Sequence, residues 1–126
     1  MNIRIGTDVV QIERIKRSTE KDSFIKKVFT AGEIEYSSKK AEPAASFAAR
    51  FAAKEAFFKA LGTGLYTQGM GPQDVWIENS DSGRPLLKFS KAAEALLQQQ
   101  GQSWQADVSL SHDGPVAIAT VVLLFV

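Results

Sequence analysis

Apolar positions recur along this chain in two rhythms, one of period two and one of helical period. The switches between them set out the elements. Residues 3–10 read as a strand in which Ile3 and Ile5 share a face. Ile12 and Ile15 then take helical spacing, and "FIKKVF" carries a second short helical pattern. Thr30 stands three residues before Glu33, the spacing of a capping box, so a helix is predicted to start there. Pro43 breaks that helix ahead of a long one over residues 44–61, with Gly62 as its stop. The loop "GTGLYTQGMGP" leads to a strand in "DVWIEN", a turn in "SDSGRP" and a return strand in "LLKFS", together a hairpin. "KAAEALLQQQ" reads as a helix ended by Gly101; "WQADVSLSH", a "DGP" turn and "VAIATVVLLFV" follow as two strands. No repeat, linker or low-complexity tract interrupts this order. It predicts one α+β domain over residues 1–126, a mainly antiparallel sheet packed on the long helix.

That helix breaks the usual amphipathic pattern. At about 100° per residue, Phe47, Phe51 and Phe58 share one narrow sector, and Ala49, Ala53, Ala56 and Ala60 lie nearly opposite. Glu55 and Lys59 fall in a seam between the two, and Arg50 and Lys54 form a basic stripe at the other edge of the Phe sector. A helix apolar on two sides is predicted to be largely buried, with the Glu55–Lys59 seam at a cleft or an interface.

Composition narrows the classes. At 44% hydrophobic and 23% charged the chain is globular rather than disordered, and a net charge of +1 carries no nucleic-acid signature. With no cysteine, disulfides and thiolate metal sites are excluded. "MNIRIGTDVV" is too polar and short for a signal peptide, and the apolar C-terminal run is about half the length of a membrane-spanning helix. The expected location is the cytoplasm, with no membrane and no nucleic acid as partner. One local imbalance stands out: "ERIKRSTEKDSFIKK" sets Arg14, Lys16, Arg17, Lys21, Lys26 and Lys27 against Glu13, Glu20 and Asp22. It is either a solvated helix face or a rim that attracts an acidic partner.

Two readings stand side by side for the charged seam. Glu55 and Lys59 are an ordinary helical ion pair, or they belong to a site. Asp8 sits among apolar residues of a strand, where Asp is disfavoured; it is either the N-cap of the following helix or a metal ligand. Asp8 with Glu55 would give two hard oxygen ligands without His or Cys, a set suited to Mg²⁺ with water and phosphates. His112, the only histidine, shares a strand face with Ala106, Val108 and Leu110. Ser111 beside it points the other way, and no G-x-S-x-G elbow exists, which argues against a serine hydrolase. The glycine loop follows a helix and lacks both G-x-G-x-x-G and G-K-[ST] spacing, so a nucleotide-loop reading fails.

Together, "IGTDVVQIERI", "ARFAAKEAFFKALGTG", "SGRP" and "VSLSHDGPVAIATVV" resemble, in order and over nearly the whole chain, the bacterial holo-acyl-carrier-protein synthase family of the 4′-phosphopantetheinyl transferase superfamily. The resemblance implies transfer of 4′-phosphopantetheine from coenzyme A to a serine of apo-acyl carrier protein, releasing adenosine 3′,5′-bisphosphate and supporting fatty acid biosynthesis. It implies Mg²⁺ held by Asp8 and Glu55, with Lys59 and Glu55 catalytic. Arg50, Lys59, Gly62, Gly83, Pro85 and His112 would bind coenzyme A, and Arg14, Arg17, Lys21 and Phe24 the carrier protein. The serine proton would pass to a water held by the metal or to Glu55. Arg84 replaces the family's common lysine, and Lys39 and Lys40 are the only basic candidates upstream of the long helix for the 3′-phosphate. The family's assembly is a homotrimer with active sites between subunits. The competing class is a module that binds coenzyme A or a nucleotide without chemistry.

Overall fold

The computed structural model describes residues 1–62 and 69–126; the central part of the glycine loop lies outside the described residues. The elements follow the predicted order: β1 (Asn2–Gln11), α1 (Ile12–Thr19), α2 (Asp22–Val28), α3 (Ala31–Ser38), α4 (Pro43–Leu61), β2 (Val75–Asn79), β3 (Pro85–Phe89), α5 (Lys91–Gln98), β4 (Trp104–Asp113) and β5 (Val116–Phe125). β1, β5 and β4 form an antiparallel sheet in that order, and β2 pairs with β3 as a separate hairpin. The C-terminal run is thus the central strand, which accounts for its shortage of polar residues.

α4 lies against the inner face of this sheet, over β1 and β5. Its approach is close because small residues line it: Ala49, Ala53, Ala56 and Ala60 are all buried. β1 answers with Gly6, where any Cβ would collide with the Ala56 carbonyl. On other sides the helix buries Phe47, Phe57 and Phe58, so it is apolar around most of its circumference, as the wheel predicts. Pro43 is its first residue and Gly62, at φ 87°, its left-handed stop. The capping box of α3 forms: Thr30 Oγ1 accepts from Glu33 N at 3.3 Å, and Thr30 N donates to Glu33 Oε1 at 3.1 Å.

Ile3 and Ile5 do share a face, but it is the outer one. They stand 59% and 63% exposed, beside Val9, Ile118 and Val122, while Gly6, Asp8 and Val10 point inward. The basic stripe is also revised. Lys54 is 1% exposed; its Nζ donates to Glu33 Oε1 at 2.7 Å, Val75 O at 2.7 Å and Pro72 O at 2.9 Å. Glu33 Oε2 accepts from Ile77 N at 3.0 Å. Helix spacing shows the lysine but not its partner, which lies on α3 and already serves the capping box.

Candidate active site

Asp8 falls in the middle of β1, opposite Ala119 of β5, with its side chain on the inner face and 8% exposed. α1 begins after Gln11 with no side-chain cap, so the N-cap alternative for Asp8 does not hold. α4 brings Glu55 and Lys59 to the same corner. Lys59 Nζ donates to Asp8 Oδ1 at 3.0 Å and to Thr7 O at 3.1 Å. The helical Glu55–Lys59 pair expected from spacing is therefore replaced by a pair between helix and strand. Among the described residues, buried Asp8 Oδ2 meets no donor while both carboxylates are ionised. Glu55 is pushed up from 4.5 to about 7, first by burial, then by a hydrogen bond with Asp8 and by its charge; Lys59 and Arg14 pull the other way. A proton on Glu55 or a cation would supply the missing partner.

The donor set fits a hard divalent ion. Two carboxylates converge, one oxygen lacks a partner, and among the described residues no third His, Cys, Asp or Glu joins them. That leaves room for the water and phosphate oxygens such an ion keeps.

On the other flank of α4 lies a cavity of about 560 Å³, lined by Arg50, Tyr36, Lys40, Asn79, Gly83, Pro85 and His112 among others. Arg50 is 4% exposed. Its Nη2 donates to Asn79 Oδ1 at 2.7 Å, its Nη1 to Ser46 Oγ at 3.0 Å, and its Cζ stands 4.3 Å from the Tyr36 ring centre. Nε is buried without a partner among the described residues, and burial pushes the guanidinium pKa down. None of these hydrogen-bond partners is a carboxylate, so the cavity holds a buried cation with neutral supports. The turn that closes one wall is pinned by Gly83 N to Ser80 O at 2.8 Å and by Asn79 Nδ2 to Gly83 O at 3.1 Å; Gly83 has φ 89°. Arg84 points away into an exposed ion pair with Asp107 at 2.8 Å. His112, at the end of β4, is exposed.

The expected residues thus fall into two groups. Arg50, Gly83, Pro85 and His112 share the cavity, whereas Lys59 and Gly62 do not line it. Asp8 on β1 and Leu110 on β4 pair with the same residue of β5, Ala119, so the two groups sit on opposite edges of the sheet with α4 between. Arg14, Arg17, Lys21 and Phe24 surround a surface groove of about 490 Å³ with Ser18 and Glu20. Phe24 is half-buried there, 6.2 Å from both Phe29 and Phe51 between ring centres; as a docking anchor its ring is already committed to the core. Of the upstream lysines, Lys39 pairs with Glu35 at 3.1 Å and Lys40 reaches the cavity. Tyr36, Ser46 and Asn79 are absent from the sequence expectation. Only Asn79 had a local signal, its place just before the turn.

Residues 4–121 match the 4′-phosphopantetheinyl transferase superfamily, and the chain belongs to it. Within it, the chain is 43% identical over 120 residues to the holo-(acyl-carrier-protein) synthase of Geobacter sp. (strain M21), covering 94% of each. It is 42% identical over 125 residues to that of Trichlorobacter lovleyi, covering 98% of each. Among solved structures, the Neisseria meningitidis holo-(acyl-carrier-protein) synthase matches with a TM-score of 0.86 at 32% identity, over 96% of this chain and 97% of that one. The Helicobacter pylori synthase, solved in complex with coenzyme A, matches with a TM-score of 0.80 at 32% identity, over 95% and 99%.

Proposed function

We propose that this chain is a holo-acyl-carrier-protein synthase: it moves 4′-phosphopantetheine from coenzyme A to a serine of apo-acyl carrier protein, and adenosine 3′,5′-bisphosphate leaves. The observation that carries the reading is the Asp8–Glu55 corner, two carboxylates pressed together with a buried oxygen unpartnered among the described residues. A module that only binds a nucleotide has no use for a second carboxylate beside phosphates.

Asp8 and Glu55 would hold Mg²⁺, which when bound offsets negative charge on the diphosphate of coenzyme A. Lys59, resting on Asp8 Oδ1, is long and exposed enough to turn to the same phosphates and meet the charge that grows on the leaving group. The serine proton would pass to Glu55 or to a water held beside it. Arg50 and His112 would hold the nucleotide end, with Gly83 and Pro85 as the wall beside it. Arg14, Arg17 and Lys21 would guide an acidic carrier protein to the corner, Arg14 lying close enough for its charge to reach Glu55.

The assembly we infer is a homotrimer with sites between subunits. Two features support it. The carboxylate corner and the arginine cavity lie on opposite flanks of α4, so one subunit's corner can face its neighbour's cavity. The outer sheet face leaves Ile3, Ile5, Val9, Ile118 and Val122 exposed, an apolar patch suited to a neighbour. No described helix is long and apolar enough to cross a membrane, and the reading places the enzyme in the cytoplasm.

The test is mass spectrometry of an apo-acyl carrier protein incubated with coenzyme A, Mg²⁺ and this protein. A gain of one phosphopantetheine is expected. No gain with several carrier proteins would leave the binding module standing.

A further inference from the structure

Gln73 is exposed, yet both N–H groups of its amide are engaged. Nε2 donates to Lys26 O at 2.6 Å and to Phe29 O at 2.8 Å. Both carbonyls lie at the C-terminal end of α2, where a helix runs out of internal donors. A primary amide has two N–H groups to give, and here both close on one helix end.

The arm that reaches α2 is itself rigid. Gln73 sits in the short turn Pro72–Asp74. Lys54 Nζ donates to carbonyls on either side of it, Pro72 O at 2.9 Å and Val75 O at 2.7 Å. Asp74 ties down the same turn, accepting from Gly71 N at 2.8 Å through Oδ2 and from Ser90 Oγ at 2.7 Å through Oδ1. The buried Lys54–Glu33 network is thus carried by Gln73 out to a surface helix.

α2 has few other holds. It is 7 residues long, no side chain caps its start, and of its own residues only Val28 is buried. A helix so short has little stability of its own. Its ion pair, Lys26 with Asp22, is exposed and lies within the helix. Among the described residues, no other side chain from outside α1 and α2 hydrogen-bonds to it. Yet α2 forms one bank of the basic groove. Lys21, at its start, and Phe24 line that groove with Arg14 and Arg17 of α1. The Phe24 ring rests on Phe29 at 6.2 Å between centres, and Phe29 is the residue whose carbonyl Gln73 holds.

We propose that Gln73 is a positioning residue for carrier-protein recognition, its amide holding α2 at the spacing from α1 that makes Lys21, Arg14 and Arg17 one basic patch for an acidic partner. This rests on the functional reading above. Charges draw an acidic partner in, but a fixed spacing is what lets them match its surface. A groove with one loose bank must order that bank when the partner docks, and the ordering weakens binding.

Gln73→Met keeps the length of the side chain and removes both N–H groups; Gln73→Ala removes them with less bulk and should behave alike. Steady-state kinetics and amide hydrogen exchange on wild type and both variants test the proposal. The KM for carrier protein should rise about fivefold, as for loss of a neutral hydrogen bond, while kcat and the KM for coenzyme A stay unchanged. Exchange should quicken in α2 and stay as in wild type in α3 and α4. Quicker exchange in α2 with an unchanged KM for carrier protein would make Gln73 a structural cap only and overturn the proposal. So would equal rises in both KM values, or variants that match wild type in every readout. A wild-type protein that modifies no carrier protein would instead overturn the functional reading, and the exchange readout would still report whether Gln73 holds α2.

Discussion

Lys54 and Glu55 are neighbours on one helix, and both are charged groups in apolar surroundings, yet their environments are opposite. Lys54 has an acid and two carbonyls on its ammonium, and its acid partner has its second oxygen on a backbone N–H. Every group in that network is satisfied internally. Glu55 faces another carboxylate, feels Lys59 and Arg14 only at a distance, and has its pKa pushed up to about 7. A satisfied buried charge ties elements together, here α3, α4 and β2. An unsatisfied one is a place kept open for a ligand. Sequence position alone does not separate the two cases, since the two residues are adjacent along the chain.

The largest effect is expected at Lys54. Removing it leaves Glu33 buried without its counter-charge, so Lys54→Ala should lower unfolding stability by about 3–5 kcal/mol, read by urea denaturation. A loss under about 1 kcal/mol would place Lys54 among groups of little consequence for the fold. Lys59 sharpens the other side. Lys59→Ala should lower kcat roughly a hundredfold at saturating coenzyme A while its affinity changes little, because the charge it meets develops in the transition state. Loss of affinity alone would make Lys59 a binding group. Arg14→Glu should act more mildly, raising the KM for carrier protein several-fold and sparing that for coenzyme A, with added salt weakening the wild type in the same direction. Equal effects on both substrates would mean that the change reached the corner itself.

Much of this contrast was legible in the chain. The all-round apolar pattern of α4 announced a buried helix, and Asp8 in a strand announced an odd carboxylate. What pattern cannot carry is which distant residue arrives. Glu33 comes to Lys54 from another helix, 21 positions away. Tyr36 and Asn79 reach Arg50 only because α3 and the hairpin pack around it. Strand order is equally silent: alternation says that β5 has two faces, and only pairing on both edges makes it central. Ile3 and Ile5 show the same limit, since period two fixes that they share a face but not that the core has already taken the other one.

The central claim is that the Asp8–Glu55 corner is kept for a ligand against the interest of the fold, and Glu55→Gln tests it most directly. In the folded protein Glu55 ionises at about 7, in the unfolded chain near 4.5. The folded state therefore holds the extra proton between these values, and this group makes folding less favourable as pH rises through that window; the penalty is complete above it. In metal-free protein, Glu55→Gln should melt above wild type at about pH 8 and alongside it below about pH 4.5, while transfer to carrier protein is lost. A variant that melts well below wild type at the higher pH would show Glu55 to be a structural group like its neighbour, and would contradict the account.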